Sequence, residues 1–485
     1  MPSSVNEMRR QRVKIESINI EAAVEKAKAM IELEQNLSPA FKSTIEILLL
    51  LVALLSNRLN LNSNNSSKPP SSDPNRKKKK RTTGDKKPGG QKGHDGKTLQ
   101  PVETPDAVEP LLLDESKLPP GQYREVGYEA RQVIDLKITR WVTEYQAQIL
   151  EDTNGKRYIA TFPEGIDRRV QYGKELKAHA IYLSQHQLIP YDRIREYFHD
   201  QAEIPISPGS IFNFNKEAFT RLETFDKIVK DRLASSPLCH VDETGINKNG
   251  ERFWLHCVSN ADFTCYYPHK KRGGEAIDEM GILPRFNGVL CHDHWKPYFN
   301  YDCLHALCNA HHLRELERAW EQDNQQWAKD LRALLPVINK AVDQNGGKLP
   351  VDLSASFKTR YRDILKQGYI ECPPPDEKSR KKGKRGRLKR SKARNLLERL
   401  GNYEQETLRF MDDPLVPFTN NRGENDIRMT KVHQKISGCF RSMDGARMFC
   451  RIRSYLSTCR KNQVHASEAL RLLLRGELPS FLSKY

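Results

Sequence analysis

Residues 238–269 read LCHVDETGINKNGERFWLHCVSNADFTCYYPH, and this stretch decides the fold. Residues 238–241 form a short apolar run that ends in an acid, Asp242, and Asp242-Glu243-Thr244-Gly245 then reads as a turn. Phe253, Leu255 and Cys257 alternate with Trp254, His256 and Val258, and residues 263–267 are a third run rich in aromatic and sulfur-bearing side chains. Period-2 segments of this length, separated by Asn249-Gly250 and by Asn260-Ala261-Asp262, predict three adjacent antiparallel strands. Asn249-Gly250 is the stronger of the two turn signals. A carboxylate ending a central strand loses water, and a metal ion would compensate it. Aspartate also starts turns, so on this stretch alone both readings of Asp242 stand.

Downstream, a helix is expected at 274–280, followed by a strand at 288–292 that ends in a second acid, Asp293, within His292-Asp293-His294-Trp295. Residues 303–308 read as a fifth strand and 311–327 as a long helix. The order strand, strand, strand, helix, strand, helix puts Asp242 and Asp293 at the ends of the first and fourth strands of one mixed sheet. Residues 326–415 read as a helical insertion with a basic loop, since ten of the fifteen residues 378–392 are cationic. Residues 416–485 return to the core and add basic C-terminal helices. On the helix expected from Asn421 to Ser437, Glu424, Arg428, Lys431 and Lys435 are spaced to share one face. Asn421 with Glu424 also resembles a capping box, which would leave the cations as a solvated face. Arg441, Arg447, Arg451, Arg453, Arg460 and Lys461 follow among apolar residues.

Upstream, residues 1–60 predict a helical segment, with apolar residues on too many faces of its second helix for a monomeric surface helix. A coiled-coil dimer and packing on a later domain both fit. Residues 61–99 are dominated by Asn, Ser, Pro, Gly and Lys, which reads as a flexible basic linker. Within it Arg76, Lys77, Lys78, Lys79, Lys80 and Arg81 are six consecutive cations suited to phosphate contact without sequence specificity. Residues 100–170 read as a small β-rich module. Residues 171–235 read as helical, either a helix-turn-helix or a plain collar on the core at 236–325.

The 485-residue chain carries 80 Lys plus Arg against 62 Asp plus Glu, a formal charge of +18. That surplus suits a polyanionic partner. The longest apolar run has nine residues, short of the roughly 18 that a spanning helix needs, so no membrane is expected. All ten cysteines lie at or after Cys239 without a paired pattern, which suits free thiols in a reducing, cytoplasmic setting.

Taken with NNSSKPPSSD (64–73), GGQKGHDG (89–96), VDET (241–244), CHDHWKPY (291–298), Cys308-x-x-His311 and TNNRGENDIR (419–428), the chain resembles bacterial transposases of the insertion-sequence-66 family. The pieces stand in family order from about residue 60 to the C-terminus. The resemblance implies an α/β, ribonuclease-H-like mixed five-stranded sheet flanked by helices. It implies an Asp-Asp-Glu triad of Asp242, Asp293 and Glu424, holding Mg²⁺ or, in its place, Mn²⁺. Two such ions about 4 Å apart activate the attacking hydroxyl and neutralise the leaving oxygen. It also implies DNA partners (element ends and target), a homo-oligomer, accessory proteins of the same element, and association with the bacterial nucleoid. Arg428, Lys431, Lys435 and Arg441 would guide the DNA backbone to the metals. A catalytically inactive DNA-binding protein and a structure-specific nuclease without strand transfer are the competing readings.

Many members of that family carry a cysteine-rich zinc ribbon after the Gly-Gly-Gln-x-Gly-His element. Here no cysteine precedes Cys239, so residues 100–170 cannot hold a thiolate zinc site. Cys308, His311 and His312, with His292, His294, Cys303 and His305 nearby, are zinc candidates by type but lack a paired CxxC. Glu243 points to the opposite sheet face if the strand continues, and is not counted as a ligand. Trp295 reads as a core residue.

Overall fold

The structure, a computed structural model, describes residues 20–34, 37–59, 61–62, 65–66, 73, 99–376 and 388–483. The chain divides into two units, one of residues 1–77, 169–194 and 207–485, the other of 78–168 and 195–206.

The first unit is built on five strands, β3 (Leu238–Lys248), β4 (Glu251–Ser259), β5 (Thr264–His269), β6 (Val289–His292) and β7 (Leu304–Leu307). Two three-residue strands, β1 and β2, belong to the second unit. The order across the sheet is β5-β4-β3-β6-β7, antiparallel from β3 outward through β4 to β5 and parallel from β3 through β6 to β7. This is the expected ribonuclease-H-like mixed sheet. Asn249 and Gly250 both have positive φ, 48° and 83°, which gives the two-residue β3–β4 turn the twist its flanking strands need. The turn expected at residues 242–245 does not form. β3 runs straight through it because β4 pairs with it along its whole length, from His240↔Ser259 to Lys248↔Glu251. At Gly245 the guanidinium of Arg252 lies over the strand, 2.6 Å from where a Cβ would stand.

Helices cover both faces. The chain opens with α1 (Ile20–Leu33) and α2 (Pro39–Leu59), which pack on each other, while Ile47, Leu48 and Leu55 of α2 are exposed. Of the expected 61–99 linker, Asn65 is buried and its amide donates to Glu321 at 2.9 Å, whereas Arg76, Lys77, Lys78, Lys79, Lys80 and Arg81 lie outside the described residues. Next come α3 (Lys174–Ile181), α4 (Tyr191–Ala202, which runs across the division between the units), α5 (Pro208–Arg221) and α6 (Glu223–Ala234). Ser207 caps α5 through Ser210 N, with Pro208 at the first helical position, as read. α3, α5 and α6 pack on β5 and on the C-terminal helices α14 (Met443–Lys461) and α15 (Ala466–Arg475), which is the collar arrangement.

Beyond β5, α7 (Gly274–Met280) leads to β6, and β7 leads to α8 (Asn309–Asp323). α8 stops short of the expected 311–327 because Asn324 takes the left-handed conformation, φ 50°, and caps it. The inserted helices α9 (Gln326–Gln344), α10 (Val351–Glu371), α11 (Lys392–Asn402) and α12 (Glu404–Asp412) then bury Trp327, Tyr361, Leu397 and Met411 in one core with α8. A second core joins Ile246, Leu255 and Cys257 of the sheet to Ile427 of α13 (Asn421–Ser437) and Phe449 of α14. The short α16 (Ser480–Ser483) ends the described chain.

Of the basic residues of α14, Arg447 and Arg460 stay exposed, while Arg451, Arg453 and Lys461 turn inward. Arg453 is buried and donates to the carbonyls of Gln185 and His186, both at 3.3 Å. Arg451 lies 3.9 Å over the Phe219 ring, and Lys461 pairs with buried Asp426 at 2.7 Å. These cations are spent inside the fold.

In the second unit, β1 (Ile149–Glu151) and β2 (Arg157–Ile159) form one antiparallel hairpin. It is the only paired structure among the described residues of the β-rich module expected at 100–170. Alternation at 131–148 makes no strand there because no second layer covers it. Val133 is 92% exposed and Trp141 89%.

Candidate active site

Asp242 lies midway along β3, opposite Cys257 of β4. On the other side β3 runs parallel to β6, and the last pair in that register is His240↔Cys291. Two residues further along each strand stand Asp242 and Asp293. The aspartates therefore lie side by side where β6 leaves the sheet. Asp293 Oδ1 accepts the amide of Trp295 at 3.1 Å, which fixes the turn after the strand. Burial, and then the negative charges of Glu243, Asp293 and Glu424, push the Asp242 carboxyl well above its usual range. Three carboxylates thus lie within electrostatic reach of Asp242.

Glu424 sits in the first turn of α13, the helix that crosses β3 and β4. The capping box does not form. The N-cap is Asn420 rather than Asn421, and it makes no side-chain cap bond. Its buried side chain is used to tie the helix to β3: Oδ1 meets His240 Nδ1 at 2.8 Å and Nδ2 donates to the Val241 carbonyl at 2.8 Å. Its backbone N–H donates to Cys308 Sγ at 3.1 Å. Glu424 is left facing Cys308 and His311, with Oε1 3.8 Å from Sγ and 3.6 Å from Nδ1.

Glu243 lies on the opposite face, as the period of a continuing strand requires. Arg272 donates to its Oε1 from Nε at 3.0 Å and from Nη2 at 2.5 Å, and Tyr298 donates to Oε2 at 2.6 Å. Arg272 is itself held between Trp254 and Trp295, 4.8 and 4.5 Å from the ring centroids. Trp295 is therefore a wall for Arg272 rather than a core residue. Burial and Asp293 raise the Glu243 carboxyl against these bonds, and burial with Glu243 carries the Tyr298 phenol well above its usual value.

A family model described as "Transposase IS66 family" matches residues 169–448, the segment that holds the sheet, both aspartates and Glu424. The chain belongs to the IS66 transposase family. A second model, "Family of unknown function (DUF6444)", matches residues 2–100. An uncharacterized protein of Sinorhizobium fredii, y4jO, is 27% identical over 161 residues, 32% of this chain and 44% of that relative. The match thus spans less than half of the relative's length.

In this member of the IS66 family, Asp242, Asp293 and Glu424 pair with no lysine or arginine among the described residues, in contrast to Glu243. Oxygen donors carrying uncompensated charge fit a hard divalent cation. Of the expected DNA contacts, Arg428, Lys435 and Arg441 are exposed. Lys431 is exposed as well and donates to the Gly245 carbonyl at 2.8 Å, and burial, then Arg252, lowers its ammonium from the usual value.

The zinc candidates separate. His312 is buried against Asn309 Oδ1 at 3.1 Å, His292 meets His305 at 3.1 Å, and His294 packs on the rings of Phe299 and Tyr403. Cys303 Sγ lies 4.0 Å from His305 Nε2, and Cys308 and His311 converge with Glu424. Sequence reasoning missed Asn420, His240, Arg272 and Tyr298 as positioning residues. The pair Asn420-Asn421 before Glu424 was the available signal, one residue away from the cap it suggested.

Proposed function

We propose that the chain is a DNA transposase that cleaves element ends and joins the resulting 3′-hydroxyl to target DNA, with Asp242, Asp293 and Glu424 as its metal-holding triad. What supports this reading is the alignment of Asp242 and Asp293, each two residues beyond the last β3–β6 pair, with Glu424 in the first turn of α13 adding to the negative charge felt by Asp242. Family membership supports the polynucleotide substrate, and the surplus of +18 suits it.

The three acids would hold Mg²⁺ or Mn²⁺, which supplies Lewis-acid activation of the attacking water or hydroxyl and neutralises charge on the leaving oxygen. Asn420 sets the height of Glu424 over the sheet through His240 and Val241. Arg272 and Tyr298 hold Glu243 on the far face, so the acid next to Asp242 does not compete for the ion. Exposed Arg428 and Lys435 lie further along α13 and offer the DNA backbone cationic contacts. The reading includes a homo-oligomer, accessory proteins of the same element and work at the nucleoid. No helix among the described residues is long and apolar enough to cross a membrane.

The test is a strand-transfer assay with Mg²⁺, labelled element-end DNA and a supercoiled target. Joined products that disappear with Asp242→Asn, Asp293→Asn and Glu424→Gln support the reading. Cleavage without joining would favour a nuclease, and binding without either would favour a DNA-binding protein.

A further inference from the structure

We propose that Cys308 Sγ, His311 Nδ1 and Glu424 Oε1 form a binding site for a zinc-class divalent ion, next to the aspartate pair and sharing Glu424 with it. The sulfur and the imidazole nitrogen lie 3.8 and 3.6 Å from Oε1, and all three atoms fall within 4.8 Å of one another. Ligand atoms on a tetrahedral zinc, with bonds of about 2.0–2.3 Å, stand roughly 3.3–3.6 Å apart. The three atoms thus need only a small contraction to close on one ion.

Two further observations point to a ligand. His311 Nδ1 is buried without a hydrogen-bond partner, and 3.6 Å from Oε1 is too long for a bond of its own. A weak thiol-to-carboxylate bond would account for Cys308 but leaves that nitrogen orphaned. The second is a backbone donor aimed at the sulfur. Cys308 is the N-cap of α8, and its Sγ accepts the Asn420 amide at 3.1 Å. Burial pushes the Cys308 thiol up to about 11, so an ion binding there would displace that proton to solvent.

Donor chemistry separates this site from its neighbour. Asp242 and Asp293 offer only oxygen, suited to Mg²⁺, whereas a thiolate with an imidazole selects a softer ion. Glu424 is common to both, so an ion on Cys308 and His311 holds Oε1 away from the aspartates. The inhibition this implies rests on the reading in the preceding section; the binding does not.

Binding is tested on the full chain, stripped with chelator and titrated with Co²⁺ without DNA. A sulfur-to-cobalt charge-transfer absorption saturating at one ion per chain is expected. It should be displaced by Zn²⁺, lost in Cys308→Ser, and kept in Cys439→Ser and Asp242→Asn. His311→Gln is the second variant, and it too should lose the absorption while keeping the native circular dichroism and melting profile. No absorption in the native chain, or absorption unchanged in either Cys308→Ser or His311→Gln, overturns the site. A charge-transfer band in a preparation that never joins DNA would leave this inference standing and count against the transposase reading alone.

Discussion

Replacing Asn420 by alanine removes two side-chain bonds that fasten α13 to β3 and leaves the backbone bond to Cys308 in place. His240 Nδ1 and the Val241 carbonyl lose their partners at 2.8 Å, and both residues are buried. An orphaned buried polar group costs about 1–3 kcal/mol. The two together should cost about 2–6 kcal/mol, the lower part of that range if water enters the space vacated by the amide. For a unit of this size, at about 2.1 cal/mol/K per residue, that corresponds to a fall of about 2–7 °C in melting temperature. The chemical consequence is larger, because Asn420 stands four residues before Glu424. A shift of about 1 Å at the carboxylate costs on the order of 100-fold in rate. Circular dichroism melting and single-turnover cleavage should therefore both change, with DNA affinity nearly constant. Asn420→Asp should not rescue, since an oxygen would then face the Val241 carbonyl. A melting temperature within about 1 °C of native, together with unchanged cleavage, would refute the reasoning.

Asp242→Asn should abolish cleavage yet raise the melting temperature in metal-free buffer at neutral pH. The carboxyl is held above its usual range, so its ionised form weakens the fold as pH rises past the unfolded value; a lowered melting temperature contradicts this. Glu243→Ala should destabilise by about 1–3 kcal/mol in urea titrations, because it strands Tyr298 and an Arg272 that remains partly solvated. Burial pushes His433 down to about 4, against an ordinary value near 6.5, beneath the rings of Phe440 and Phe449. Its contribution is complete above pH about 6.5 and is lost as pH falls towards 4, so His433→Leu should flatten the melting-temperature slope across that window. Arg428→Ala and Lys435→Ala should each lower the slope of log affinity against log salt by about 1 if their cations meet phosphate. An unchanged slope removes them from the interface.

Much of the sheet was legible because its signals are local. Alternation along β4 and the positive-φ pair Asn249-Gly250 each fix geometry within a few residues. Asp242 was legible as an acid on a strand, but not the strand's continuation to Lys248, which depends on pairing with β4. The positioning residues were hidden for a different reason. Asn420 meets His240 across 180 residues of chain, and Arg272 meets Glu243 across 29, so no window of sequence contains both partners. The cations of α14 misled because charge in sequence does not reveal burial. Arg453 and Lys461 find carbonyls and Asp426 only once the collar has closed. Residues 131–148 failed in the opposite sense, having the alternation of strands without a layer to bury it.

The inserted helices α9–α12 set a timetable for the site. Asp242 and Asp293 can take their places once β3 and β6 have paired, but Glu424 lies 131 residues beyond Asp293. At about 5–20 residues per second, a ribosome needs roughly 7–26 s to reach it. During that interval the aspartates stand together without α13, and Asn420 has not arrived to bond His240 and Val241. The carboxylate cluster is thus completed late in synthesis, after the core of the insertion has been made, and a chain cut short within that insertion would carry the aspartate pair without its third acid.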